Sequence, residues 1–199
     1  MIWWSVEAFK AFDPDCRIIL TLPRHFLDNW EAEFGEEEKA LGYETVKVEG
    51  GYSRFLSVRN AILYLKEWHC NMEEGSNPGE LKVFIHDGAR PLVSPQLISR
   101  GALVAAKGVG AVPVIPLVDS IRMKVSEGTV AADRSRFVAV QTPQIFLFDD
   151  ILEAYENAMD ESCFTDDASV AENNGVKIET FQGDSKNIKI TNPEDFKKI

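Results

Sequence analysis

Cysteine, histidine and positive charge are scarce in this chain of 199 residues. Its three cysteines, Cys16, Cys70 and Cys163, are odd in number, lie far apart and show no Cys-x-x-Cys spacing, which argues against a disulfide framework or a zinc knuckle. Each reads as a small apolar side chain, and a reduced, cytoplasmic protein is expected. Only 21 Lys and Arg stand against 32 Asp and Glu, a net charge of −11. That deficit argues against a sequence-independent nucleic-acid binder, whose affinity comes from cations neutralising phosphates. It leaves room for a small anion held by a few local cations. Long apolar runs are missing too. The stretch from Gly101 to Ile121 is broken by Lys107, Gly108, Gly110, Pro113 and Pro116, short of the ~20 uninterrupted residues of a membrane span. The first residues, Met-Ile-Trp-Trp-Ser-Val-Glu, carry no basic leader, so a signal peptide is not expected. Neither nucleic acid nor membrane is an expected partner.

What is present is 45% apolar and 10% aromatic residues, enough for one hydrophobic core and a single domain over residues 1–199. Apolar runs of strand length alternate with segments of helical period, the pattern of a mostly parallel sheet with helices on its faces. Strands are expected at Arg17 to Leu22, Glu44 to Val48, Lys82 to Ile85, Val176 to Phe181 and Asn187 to Thr191. Helices are expected at Ser5 to Phe12, Phe26 to Leu41, from Ser53 through Leu65, from an N-cap at Ser94 with Pro95 in the first turn through Leu97 to Ala106, at Asp149 to Met159 and Asp166 to Asn173, with a terminal one after Asn192-Pro193. Glu36, Glu37 and Glu38 read as a solvated acidic face, and Asn71 to Glu80 as a polar loop. Val112 to Val118 carries two prolines and should lie at a sheet edge or leave the sheet. Three short extended pieces follow, Ile121 to Val125, Thr129 to Ala132 and Phe137 to Val140, and read as an excursion from it.

In open α/β sheets ligands bind beyond the carboxyl ends of strands, so polar residues after apolar runs are the candidates. Gly50-Gly51 follows one strand and precedes a helix. Two glycines permit close backbone approach, although Gly-Gly before a helix is also an ordinary turn. His-Asp-Gly-Ala-Arg-Pro follows Ile85. Asp87 suits a hydrated Mg²⁺ and Arg90 suits a phosphate, while a salt-bridged strand end explains the pair equally well. His86 reads as a base or, more commonly, as a satisfied structural donor. Thr-Asp-Asp-Ala-Ser is first a helix N-cap, and Asn-Ile-Lys-Ile-Thr first a strand with one lysine.

Seven blocks occur in order: Gly-Gly-x-x-Arg-x-x-Ser-Val (50–58), His-Asp-Gly-Ala-Arg-Pro (86–91), Pro-Leu-Val-Asp-Ser (116–120), Asp-Arg (133–134), Gln-Thr-Pro-Gln (141–144), Thr-Asp-Asp-Ala-Ser (165–169) and Asn-Ile-Lys-Ile-Thr-Asn-Pro-Glu-Asp (187–195). Together they closely resemble the 2-C-methyl-D-erythritol 4-phosphate cytidylyltransferase family, from about Ser5 to the C-terminus. The resemblance implies a Rossmann-like α/β nucleotidyltransferase sheet with helices on both faces. It also implies a protruding β-arm at 113–141 and a homodimer with shared active sites. The implied reaction joins CTP to the sugar-alcohol phosphate with Mg²⁺, releasing diphosphate. By the same resemblance Gly51 and Ser57 would read cytosine, and Asp87, Gly88 and Arg90 would meet ribose, metal and phosphate. Ser120 and Arg134 would reach the partner's site. Thr142, Thr165 and Lys189 would supply the remaining substrate and phosphate contacts, with Arg90, Lys189, Arg134 and Thr142 acting in catalysis.

The family's opening strand and loop of the form Gly-x-Gly-x-Arg-Met, followed by Pro-Lys, has no counterpart in this sequence, whose first residues match the helix after that loop. Met1 is therefore expected to be an internal methionine of a longer protein, a free apolar sheet edge is expected, and the 199-residue polypeptide as written is expected to turn over poorly or not at all. Two alternatives remain open: a cytidylyltransferase for another polyol phosphate such as ribitol 5-phosphate, and a non-catalytic remnant that keeps the fold.

Overall fold

Each amphipathic helix here must cover an apolar strand face, and the strand order decides which helix lies where. The computed structural model describes residues 1–70 and 81–198; the polar loop read at Asn71 to Glu80 lies outside the described residues, as does Ile199. Helix α1 spans Ile2–Phe12, strand β1 Ile18–Leu22, helix α2 Arg24–Leu41, strand β2 Thr45–Glu49, helix α3 Arg54–Cys70 and strand β3 Lys82–Ile85. Helix α4 (Pro95–Val104) is capped by Ser94, whose hydroxyl accepts the Leu97 N–H at 3.2 Å. After β4 (Val109–Pro116) come β5 (Arg122–Lys124), β6 (Thr129–Ala131), β7 (Val138–Val140) and β8 (Gln144–Leu147), then α5 (Phe148–Asn157), α6 (Asp167–Asn173) and β9 (Lys177–Gln182).

The main sheet runs β3-β8-β4-β7, with β9 on the other side of β4; β1 and β2 form a separate parallel pair. Among the described residues β1 and β3 each leave one edge unpaired. Trp3, Val6, Leu20, Leu22 and Trp30 form one core cluster between α1, α2 and β1, and Leu97 and Ile98 of α4 pack nearby with Ala8. On the other side Ile62, Leu65, Phe146, Ile151, Tyr155 and Val170 join α3, α5 and α6 to β8. A Cβ on Gly101 would come within 2.4 Å of Ile145, so glycine is what lets α4 lie against the sheet.

Five expectations are corrected. The sheet is mixed rather than mostly parallel, because β8 runs antiparallel to both β3 and β4, and β7 antiparallel to β4. Strand β4, despite Pro113 and Pro116, is central. Gly108 and Val114 accept bonds from Lys177 and Gly183 of the β9 side, so alternate residues including Pro113 face the other way. There the antiparallel partner changes from β8 at Ala111 to β7 at Val114, and the Pro113 carbonyl accepts the Gln141 N–H at 2.8 Å, so no ladder donor is missed. Of the three extended pieces after β4, β5 and β6 pair only with each other, whereas β7 rejoins the main sheet. Residues 187–191 form no strand: Ile190 N–H bonds to Ala89 in the loop after β3, the Asn187 and Ile188 N–H groups close turns on the Asp184 and Lys186 carbonyls, and Thr191 N–H bonds to the Asp195 carboxylate.

Glu38 is the fifth correction, for it is buried rather than solvated. Its carboxylate accepts Trp30 Nε1 at 2.8 Å, Thr45 N at 3.1 Å, Thr45 Oγ1 at 2.5 Å and Lys47 Nζ at 2.6 Å, tying α2 to β2. Burial works against the charge, but these donors outweigh it and hold the carboxyl at about 2. Replacing Glu38 by alanine strands four donors and should cost about 3 kcal/mol at neutral pH in urea denaturation. Because the folded value lies below the ordinary 4.5, the wild-type advantage should be complete above 4.5 and fade as the pH falls toward 2.

Candidate active site

Turns after β2, β3 and β9, the segment entering β8 and the start of α6 meet at one end of the sheet, and Asp87 stands where they converge. Its backbone follows β3 directly. One carboxylate oxygen, Oδ1, faces Arg54 Nε at 3.2 Å from the first turn of α3. The other, Oδ2, faces Lys189 Nζ at 3.1 Å and Arg90 Nε at 3.4 Å. Burial raises the Asp87 carboxyl, but Lys189 and Arg54 prevail and hold it below the usual carboxylate range. Arg54, Arg90 and Lys189 stand against two carboxylates, Asp87 and the buried Asp167 that Arg54 also bonds, and so leave one net positive charge locally, in a chain whose overall charge is −11. Such a focus attracts a small polyanion.

Arg90 is held from behind. Its Nη1 donates to the Asn187 carbonyl at 2.8 Å, while Asn187 Nδ2 donates to the Thr142 carbonyl at 2.8 Å. Gln141 Nε2 donates to the Asp184 carbonyl at 2.8 Å, and the Gln141 Oε1 accepts the Asp184 N–H at 3.0 Å. The segments before β8 and after β9 are thereby one polar frame.

His86 is a structural group. Nε2 lies 3.0 Å from the Arg90 carbonyl, which can only accept, so the proton sits on Nε2. Nδ1, 3.0 Å from Thr142 Oγ1, must then accept the Thr142 proton, and the same oxygen accepts the Asp87 N–H at 3.0 Å. One neutral tautomer satisfies the whole ring of bonds.

The structure brings Asp87, Gly88, Arg90, Thr142 and Lys189 together. Thr142 is buried, its hydroxyl spent on His86 and Asp87. Gly51 and Ser57 bond to each other: Gly51 N–H donates to Ser57 Oγ at 3.1 Å, and the Ser57 hydroxyl donates to the Ser53 carbonyl at 2.9 Å. A Cβ on Gly51 would lie 2.2 Å from that of Leu56, so the turn itself demands glycine there. Thr165 lines a cavity of about 310 Å³ with Ser53, Arg54, Phe55, Tyr155 and Asp166. Asp166 caps α6, its side chain accepting the Ser169 N–H at 3.0 Å. Ser120 and Arg134 sit apart on the exposed β5–β6 arm, where Arg134 donates to the Val118 carbonyl. Sequence reading overlooked Arg54, Asp167, Tyr155, Gln141 and Asn187 as site-forming residues. Arg54, Gln141, Asp167 and Asn187 stand inside quoted blocks, so the motifs held the signal; Tyr155 carried none beyond a helical apolar position.

Among the described residues no group of three or more His, Cys, Asp or Glu side chains converges as a metal cage. A single carboxylate with cationic neighbours suits Mg²⁺ that brings its own waters and nucleotide phosphates, not one bound by protein alone.

The model of the family described as 2-C-methyl-D-erythritol 4-phosphate cytidylyltransferase matches residues 1–199. The chain belongs to that family. Curated relatives of the same description include one from Azobacteroides pseudotrichonymphae, 36% identical over 193 residues (96% of this chain, 80% of that protein), and one from Bacteroides fragilis, 37% identical (97% and 81%). The crystal structure of the Thermus thermophilus cytidylyltransferase superposes with a TM-score of 0.69 at 27% identity, covering 96% of this chain and 84% of the other. The cytidylyltransferase family's Rossmann-like α/β fold is thus the fold of this chain. No described helix is long and apolar enough to cross a membrane.

Burial holds the His86 ring well below its ordinary 6.5, to about 4. Between those values the unfolded chain binds a proton that the folded chain refuses, so this contribution is complete above 6.5 and is lost as the pH falls toward 4. The size is about 3 kcal/mol from a shift of that order. Chemical denaturation across this range should show that slope in the wild type, and a markedly flatter one in His86→Gln.

Proposed function

We propose that this protein transfers a cytidylyl group from CTP to 2-C-methyl-D-erythritol 4-phosphate, releasing diphosphate. The observation that carries the reading is the Asp87 carboxylate set among Arg54, Arg90 and Lys189 where the turns after β2, β3 and β9 meet, in a chain of this family. The substrate phosphate must attack the α-phosphorus of CTP in line, and two anions repel each other. Catalysis is then positioning and neutralisation, with no covalent nucleophile. Lys189, exposed on one side, and Arg90 offer their charges to phosphates; Asp87 and Gly88 take the ribose, and Gly51 and Ser57 the cytosine edge. Thr165 lines the neighbouring cavity on the substrate side, and Thr142 orients Asp87 from behind. When bound, Mg²⁺ supplies charge neutralisation of the triphosphate, with Asp87 as its protein carboxylate.

The arm supports a dimeric reading. All residues of β5 and β6 are exposed, and Val118, Met123, Val130 and Phe137 present apolar surface with no core beneath them. A two-stranded ribbon of this kind is marginal in water by itself, and a second copy of the chain supplies the missing cover. In that arrangement Ser120 and Arg134, unattached to Asp87 within the chain, enter the partner's site. A cytoplasmic setting accords with its three unpaired cysteines.

Turnover by the 199-residue polypeptide assayed alone is proposed to be slow, since it holds no Gly-x-Gly-x-Arg-Met segment. Each preorganised donor lost costs about 2.7–4 kcal/mol at the transition state. Long incubation with CTP, Mg²⁺ and either 2-C-methyl-D-erythritol 4-phosphate or ribitol 5-phosphate, followed by mass spectrometry, tests the reading. Product is expected from the first substrate, and about 10²-fold less of it from Lys189→Met. Preference for ribitol 5-phosphate would reassign the substrate, and no product with no CTP binding would make the chain a remnant. Site sharing is tested by mixing two weakened variants, Lys189→Met and Arg134→Met. Mixed dimers should regain one intact site and yield more product than either variant alone.

A further inference from the structure

Arg54 joins two carboxylates of opposite character. Its Nη1 and Nη2 grip Asp167 at 3.0 and 2.6 Å, a fork on both oxygens, while only Nε reaches Asp87, at 3.2 Å. Asp167 is wholly buried, whereas the Arg54 side chain is 35% exposed. The buried end is therefore the anchor. Tyr155, itself buried, donates its hydroxyl to Asp167 Oδ1 at 2.7 Å, and Phe55 packs on the Tyr155 ring with centroids 4.9 Å apart. Gln144 of β8 holds the same helix start from the other side: its Oε1 accepts Ala168 N–H at 2.8 Å and its Nε2 donates to Asp166 at 2.8 Å.

A guanidinium is planar and rigid, so fixing both Nη atoms fixes where Nε points. We infer that Asp167 is a positioning residue which, steadied by Tyr155, acts through Arg54 to hold Asp87 Oδ1 and so turn Oδ2 toward Lys189 and Arg90. Without that anchor the exposed part of Arg54 is free to swing, and Asp87 keeps only the cations on its Oδ2 side. A buried carboxylate needs a countercharge in any case, so a purely structural Arg54–Asp167 pair is the rival account. That rival predicts that the Arg54 Nε contact with Asp87 survives loss of Asp167.

The inference rests on the proposed nucleotide site for its consequence, but its first test does not. In the free protein the Arg54 Nε–H is a hydrogen-bonded proton observable by NMR, assigned through its disappearance in Arg54→Lys. Asp167→Asn, which keeps shape and removes charge, should return this resonance to the position and solvent exchange of a free arginine. Tyr155→Phe, removing one hydroxyl, should move it part of the way and serves alone if Asp167→Asn does not fold. An unchanged resonance in the folded variants would overturn the inference. The second readout is CTP affinity with Mg²⁺ by calorimetry: Asp167→Asn should weaken it ~10-fold, the scale of lost supporting hydrogen bonds around a ligand-binding group. Arg54→Lys should weaken it as well, because an ammonium cannot form the fork. Affinity unchanged in Asp167→Asn yet lost in Asp87→Asn would also overturn it. If the wild type binds no CTP while the resonance responds as expected, the positioning stands and the cytidylyl-transfer reading falls instead.

Discussion

One carboxylate organises the functional end of this molecule. Asp87 is half-buried, and a negative charge in that position is tolerable only because Arg54, Arg90 and Lys189 approach it. Those three cations come from the start of α3, the loop after β3 and the segment after β9, which lie far apart in the chain. Two of them also satisfy something else: Arg54 the buried Asp167, Arg90 the Asn187 carbonyl. The electrostatic requirement of one group thus sets where three turns end, and the hydrogen bonds of Gln141, Thr142 and His86 hold the backbone that carries it.

Net charge acts differently at the two scales of this protein. Over the whole surface the excess of acidic residues repels polyanions, while locally Arg54, Arg90 and Lys189 concentrate positive charge around Asp87. Asp87 keeps these cations in place, so the donors at this point are already oriented rather than free side chains that must first be ordered.

Much of this was legible in the residues themselves. Strands β1, β2, β3 and β9 and the main helices fell within a few positions of their expected bounds, because their apolar periods are strong and caps such as Ser94 and Asp166 are explicit. Direction was not legible. An apolar run reads the same forward and backward, so the antiparallel course of β8 and the sheet's mixed character came only with tertiary pairing. The prolines of β4 misled for a related reason: proline forbids a donor on one side, and which side is vacant depends on the neighbours. Glu38 looked like its neighbours Glu36 and Glu37 until the donors from Trp30, Thr45 and Lys47 were placed around it. At the site, residue types announced Asp87 and Arg90, the resemblance added Lys189, and Asp167 lay unremarked inside a quoted block, but Tyr155 is visible only once α5 is packed against α3.

The root of the arm carries a consequence for how this fold can vary. Strands β4 and β7 leave and re-enter the sheet as a closed pair, with Val114 opposite Val140 and Pro116 opposite Val138. Whatever chain lies between them begins and ends one strand spacing apart. Lengthening it adds only about 0.6 kcal/mol of closure entropy for each doubling, and none of that is transmitted to the sheet. The arm is therefore a module whose size and surface can drift between descendants while Gln141 and Thr142, immediately beyond its clamp, stay where Asp87 and Arg90 need them.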